Sequence, residues 1–185
     1  MIELKELFDS GVPYKLYNSG PSGLEYYFTV ANREYEFTLP IESLDKDKAR
    51  WDIQTMLLKL YGREIFDLST EGSLFSNEKI GRVYFKIEQD EVNELDVYGI
   101  TDTGSQFSVF STVIAILQEI VRKEDFFILS FSADREEPSR IKLYQLFTKK
   151  IKRFLPEYEV LHQEEGAFDY MFYLYKPKTL NRYTI

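Results

Sequence analysis

With 185 residues the chain holds one sizeable core, or at most two small ones sharing an interface, since a domain takes about 100–200 residues. Hydrophobic residues at 44% and aromatics at 16%, including 15 Phe and 14 Tyr, offset chain entropy and exclude disorder except at the ends. The lack of cysteine excludes disulfides, thiolate metal sites and a Cys nucleophile, while the formal net charge of -8 opposes sequence-independent attraction to phosphate backbones.

No apolar run reaches the roughly 18 residues that span a bilayer, because Ser111, Thr112, Gln118 and Glu119 interrupt Val109 to Val121. The opening "MIELKELFDS" has acids where an export signal carries basic residues, so a non-secreted, cytoplasmic protein is expected. Met1 to Phe8 reads as a short helix and "NSGPSG", Asn18 to Gly23, as a turn. "LEYYFTV" and "EYEFTLPI" read as a hairpin around "ANR". From Ser43 the period becomes helical, with Trp51, Ile53, Met56, Leu57 and Leu60 on one stripe and Gly62 as terminator. "REIFDLSTEGSLFSNEKIG" reads as a loop, and "RVYFKIEQ" and "NELDVYGIT" as paired antiparallel strands.

After Gly104 the stripe Phe107, Phe110, Val113, Ile114, Leu117 and Val121, broadened by Val109, Ile116 and Ile120, predicts a helix covered on most sides. "DFFILSFSA" predicts a strand buried on both faces, and strand, helix, strand with short joints predicts a right-handed parallel crossover. "EPSRIKLYQLFTKKIKRFL" predicts a helix with Pro138 in its first turn and Ile141, Tyr144, Phe147 and Ile151 on its apolar side. "EYEVLHQ" and "AFDYMFYLYKP" close the chain as a hairpin before the tail "KTLNRYTI".

Asp102 to Ser105, "DTGS", matches the water-activating turn of aspartic proteases, but one copy occurs and a helical run without Gly or Pro follows it. No Gly-Lys-Ser or Gly-Lys-Thr follows Gly104, which excludes a phosphate-binding loop of that class. The serine-hydrolase elbow fails for want of flanking glycines, and His162, the single histidine, falls in a C-terminal strand. The acids of "DREEP" lack the ligand pattern of a cation cage, so no metal is expected. Two readings of the loop remain: Thr103 or Ser105 caps the helix, or free backbone N–H groups at the helix start receive an anion.

The order "ELDVYGIT", loop, long helix, "FFILSFSA", "SRIKLYQLF" and terminal hairpin resembles the second half of the GCN5-related N-acetyltransferase (GNAT) fold, over Arg82 to Pro177. "TGSQFSVFSTV", "SFSAD" and "SRIKLYQLFTKKI" resemble a group of uncharacterised bacteriophage proteins with that fold. The resemblance implies a mixed, mostly antiparallel sheet with a central parallel crossover and helices on both faces. It divides one domain, 1–185, into an N-terminal elaboration at 1–81, a core at 82–177 and a tail at 178–185.

In that family a pantetheine arm lies between two splayed parallel strands and its diphosphate meets the following helix. Carried over, the strands are Glu94 to Thr101 and Phe126 to Ser132, and the acyl-CoA contacts are Ile100, Thr101, Thr103, Gly104, Ser105, Gln106 and Ser108. The family's leaving-group Tyr corresponds to Tyr144, in "LY". Asp96 and Tyr98, on one side of their strand, suit a base that takes a proton from an amine, with Glu88 across from them. The loop departs from the family pattern, since Gly104 is its one glycine and Phe107 and Phe110 follow; Glu137 stands where the family often has Asn.

Lys142, Lys149 and Arg153 share a narrow arc opposite the apolar side, a face for the ribose phosphate of a cofactor, a nucleic-acid backbone or an acidic partner, or plain solvent contact; a nucleic acid is expected through no other face. Three functions are expected in order: a phage-type GNAT-like accessory protein that binds a protein partner in the particle or the host cytoplasm; an acyl-CoA-dependent N-acyltransferase; and an acidic DNA mimic that inhibits a host enzyme. No membrane partner is expected.

Overall fold

The structure, a computed structural model, describes residues 11–43, 51–62, 78–87, 106–136, 138–165 and 169–177. The strands are β1 (Tyr14–Gly20), β2 (Gly23–Val30), β3 (Arg33–Ser43), β4 (Lys79–Ile87), β5 (Phe126–Asp134), β6 (Glu159–Glu165) and β7 (Asp169–Tyr175). They form one seven-stranded sheet in the order β1-β2-β3-β4-β5-β7-β6. The pair β4 and β5 is parallel and the other neighbours are antiparallel. The helices among the described residues are α1 (Trp51–Tyr61), α2 (Gln106–Lys123), α3 (Pro138–Lys149) and α4 (Ile151–Phe154).

Alternation along the strands decides which face each helix covers. Tyr26, Phe28 and Val30 of β2 and Tyr35, Phe37 and Leu39 of β3 are buried with Val83, Phe85, Leu129, Phe131 and Phe172 against α2 and α3. Leu57 of α1 packs on the opposite face with Ile80, Phe127, Ile128 and Tyr173. The fold is therefore a mixed α+β sheet with helices on both faces, in agreement with the GNAT-like architecture expected from the sequence.

Helix α2 is the molecule's main apolar rod. Val109, Phe110, Val113, Ile114, Ile116, Leu117 and Ile120 are all buried, and each large side chain removed from water contributes about 1.5–3 kcal/mol. Its hydroxyls are absorbed locally: Ser111 Oγ donates to the Phe107 carbonyl at 2.6 Å, and Thr112 Oγ1 donates to the Ser108 carbonyl at 2.7 Å while accepting the Val12 N–H at 2.9 Å.

The β2–β3 hairpin turns on Ala31 (φ 52°) and Asn32 (φ 63°), the left-handed pair that a tight two-residue turn requires. Strand β1 was not foreseen, because "NSGPSG" reads as a turn throughout. The strand instead continues to Gly20, leaving Pro21 and Ser22 to turn the chain. On α1, Leu58 and Tyr61 join Leu57 in the packing, whereas Leu60 is exposed rather than part of the stripe.

Two further expectations are corrected. The parallel neighbour of β5 is Lys79–Ile87, not Glu94 to Thr101. Over Ile128–Phe131 strand β5 has β4 on one edge and β7 on the other, so that stretch has no edge left for another strand. The basic helix also does not run through: α3 ends at Lys149, and α4 begins at Ile151 after a turn at Lys150. Arg153 therefore does not share a helix with Lys142 and Lys149, and its guanidinium lies over the Phe154 ring at 5.6 Å. The short helix at 1–8 and the strand at 93–101 lie outside the described residues.

Where β4 starts, Gly81 lets the sheet and its core close up. A Cβ there would stand 2.9 Å from Leu129 Cδ2 and 3.1 Å from Leu39 Cδ1 and Phe126 Cδ1. Gly81→Val should cost about 1–3 kcal/mol by overpacking. Thermal unfolding checks this: the melting temperature should fall by several degrees, and an unchanged value contradicts the packing described.

Candidate functional site

The parallel ladder is short. It pairs Ile80 with Ile128, Gly81 with Leu129, Arg82 with Ser130 and Val83 with Phe131, and stops there. Strand β4 continues to Ile87 on β3, with Thr38 opposite Tyr84 and Tyr35 opposite Ile87. Strand β5 continues to Asp134 on β7, with Ser132 opposite Met171 and Asp134 opposite Asp169. Two strands that stay on their outer partners while losing each other must diverge, so the sheet opens into a notch between Tyr84–Ile87 and Ser132–Asp134. Among the described residues, the backbone groups along its inner edges have no strand partner, and backbone N–H and C=O groups are obligatory hydrogen-bonding groups.

Side-chain alternation gives the notch two different faces. Val83 and Phe131 point to the α2 and α3 side, and so do Phe85 and Ala133, all four buried. Tyr84 and Ser132 point the other way, Tyr84 45% exposed and Ser132 half-buried.

On the helix side, Tyr144 of α3 sits beneath the parting strands. Its ring centroid is 6.3 Å from that of Phe85 on β4, 5.5 Å from Phe131 on β5, 5.4 Å from Phe172 on β7 and 5.7 Å from Phe110 on α2. Tyr144 is 2% exposed and touches both banks of the notch, which makes it the wedge under the split. One turn earlier, Arg140 is 7% exposed and its guanidinium carbon lies 4.9 Å from the Phe85 ring centre, in cation–π range.

Both helices reach this place. Helix α2 runs into the start of β5 through Glu124 and Asp125, and its early residue Phe110 lies beside Tyr144. Helix α3 begins at Pro138, four residues past the end of β5. Each helix thus contributes a ring to the packing under the notch, and neither helix has an acidic residue in its first turn. Free N–H groups and the dipole end at a helix N-terminus favour an anion.

Of the residues expected from the sequence, Tyr144 is at the notch. Gln106 opens α2, and Ser108 lies in its first turn with its carbonyl bonded to Thr112. Asp96, Tyr98, Ile100, Thr101, Thr103, Gly104 and Ser105 lie outside the described residues, as does Glu88. Arg140 and Phe85 were missed as site residues. The spacing of Arg140, four from Tyr144 and seven from Phe147, is the signal that places it on the buried side of the helix.

Two tyrosines outside the notch hold its supports. Tyr158 donates from its hydroxyl to the Phe126 carbonyl at 2.6 Å, fixing the start of β5; burial, then Asp125 and Glu157, push its pKa up. Tyr14 donates to Glu119 Oε2 at 2.7 Å, tying the first strand to α2, and Lys123 Nζ bonds Glu119 Oε1 at 2.5 Å. Burial, then the hydrogen bond to Glu119, raises Tyr14 from 10.0 to about 12, while Lys123 and Tyr14 hold the Glu119 carboxyl below its ordinary value.

No protein-family model matches the chain, and no curated protein matches it. Among solved structures the chain is similar to FeeM, an N-acyl amino acid synthase from uncultured soil microbes, at 15% identity and a TM-score of 0.41. The alignment covers 86% of this chain and 70% of that one.

The Tyr14 contact sets an alkaline limit. Its hydroxyl stays protonated in the fold above the pH at which the unfolded chain loses the proton. The stability it contributes is therefore complete below pH 10.0 and lost as pH rises towards about 12. In urea titrations across that window, Tyr14→Phe should flatten the decline; an equally steep decline contradicts the coupling.

Proposed function

We propose that the protein is a GNAT-like N-acyltransferase that takes its acyl group from a coenzyme A thioester. The single observation that carries this reading is the notch: a parallel pair that stops pairing after Val83 and Phe131 and then diverges. In the family that the sequence resembles, such a splay receives the pantetheine arm.

The residues present fit that use. The inner edges of Tyr84–Ile87 and Ser132–Ala133, without a strand partner among the described residues, offer N–H and C=O groups to the amides of an extended arm, as a strand would. The N-termini of α2 and α3 offer donors and positive dipole ends to a diphosphate, with no acid in either first turn to oppose it. A bound acyl-CoA would supply the activated carbonyl.

Acyl transfer then asks two things of the chain. A base accepts a proton from the incoming amine as nitrogen bonds to the carbonyl carbon, and an acid gives a proton to sulfur as the C–S bond breaks. The proposed acid is the Tyr144 hydroxyl, whose ring is placed at the notch by Phe85, Phe131 and Phe172. The proposed base is Asp96 or Tyr98, on the segment joining β4 to α2.

Millimolar acetyl-CoA should raise the melting temperature, since a ligand selective for the folded state adds about 2.7 kcal/mol at a hundred times its dissociation constant. No shift contradicts the reading. Tyr144→Phe, which keeps the ring contacts, should retain that shift while slowing transfer to an amine about 10²–10⁴-fold. Full activity in Tyr144→Phe removes it as the acid.

A further inference from the structure

The sheet has a second open surface, on the face opposite α2. Helix α1 covers this face over β4, β5 and β7, where Leu57 meets Ile80, Phe127, Ile128 and Tyr173. Over β1, β2 and β3 no described helix packs on it, and its side chains are partly or fully exposed.

Those side chains have a common chemistry. Tyr17, 71% exposed, and Tyr27 meet edge to face, with ring centroids 5.2 Å apart at 81°. They line a groove of about 300 Å³ together with Glu34 and Lys15. Glu36 is the cross-strand partner of Tyr27, and Glu25 lies two residues before Tyr27 on the same side of β2. Farther along the face, Glu42 holds Arg82 at 2.9 Å, and Tyr84 stands exposed beside the notch, opposite Thr38.

Two perpendicular aromatic rings with a carboxylate at the same groove form a seat for a cation: ring faces attract it through their quadrupoles and the carboxylate adds a charged acceptor. The surrounding carboxylates extend that preference along an extended chain lying on the sheet. We propose that the Tyr17–Tyr27–Glu34 groove docks a lysine-rich peptide segment, with one lysine ammonium seated on an open ring face of the tyrosine pair, beside Glu34. The charge complementarity commits the occupant. Around the groove stand Glu25, Glu34 and Glu36 against Lys15, with Lys86 cross-strand from Glu36 and Arg82 held by Glu42 farther along, and the chain as a whole has a net charge of -8, which draws cationic segments and repels acidic ones. Lys15, at the rim, is the one groove residue that opposes the docked cation. The proposal goes beyond acyl transfer and does not depend on it.

The test uses the full chain without any thioester, so its outcome is separate from that of the acetyl-CoA experiment. A fluorescent peptide of alternating lysine and glycine is titrated by anisotropy at about 50 mM and at about 300 mM salt, beside the same peptide with acetylated lysines. Binding is expected at low salt, with clear weakening at high salt and none for the acetylated peptide. Tyr17→Ala, at an exposed edge position, and Glu34→Lys should each weaken it about fivefold or more, and Lys15→Ala should strengthen it. Glu157→Lys, the same charge change at an exposed site in the α4–β6 turn, should change it less than about twofold. No binding at low salt overturns the proposal. So does equal binding of the acetylated peptide, or a loss in Glu157→Lys as large as that in Glu34→Lys, which would reduce the effect to net charge.

Discussion

The structure depends on one aromatic contact set: the Tyr144 ring lodged between Phe85 on one bank of the divided sheet and Phe131 and Phe172 on the other. A parallel pair that simply ran on would need no such filler. Because β4 follows β3 while β5 follows β7, the helix-side core under the divergence needs a large side chain that reaches both, and Tyr144 supplies it. Phe110 and Phe147, 5.8 Å apart in an edge-to-face pair, lock α2 and α3 around the same point. Edge-to-face aromatic pairs contribute about 0.5–1.5 kcal/mol each beyond their burial. The placement of the two helices follows from this packing.

That dependence explains what was legible in the sequence. The apolar run Phe126 to Phe131 announced a strand buried on both faces, and it is one. The stripe from Phe107 to Val121 announced a helix covered on most sides, and α2 is buried along it. The hairpin around "ANR" was readable because turn residues interrupt alternating apolar ones, and so was the pairing of "EYEVLHQ" with "AFDYMFYLYKP", although Glu164 and Glu165 extend the first of those strands. The terminal hairpin, β6 with β7, has the expected place in the sheet, with β7 inserted beside β5.

What failed to read out were choices between strands of similar quality. "RVYFKIEQ" and "NELDVYGIT" alternate equally well, and nothing local says which lies beside β5. In the structure the start of β4 lies there, and the missing side chain of Gly81 lets Leu129, Leu39 and Phe126 close over it. Arg140 was hidden for the opposite reason: its charge suggested solvent, whereas the ring of Phe85 and the turn of helix below Tyr144 draw it inward. The break at Lys150 had no such signal, since Tyr144, Phe147, Ile151 and Phe154 keep one helical spacing across it and all are buried. Most residues carried over as cofactor contacts fall between β4 and α2, so the notch is defined by its banks and its wedge rather than by that loop.

The central claim is that the inner edges of Tyr84–Ile87 and Ser132–Ala133, which have no strand partner among the described residues, receive one from an extended ligand. Residue-resolved amide hydrogen exchange, with and without acetyl-CoA, tests it most directly. Inward-pointing amides of these two stretches should exchange much faster than those of Ile80–Val83, and should become protected when the ligand binds. Protection already equal to that of the paired half, or exchange unaltered by saturating ligand, would contradict the account.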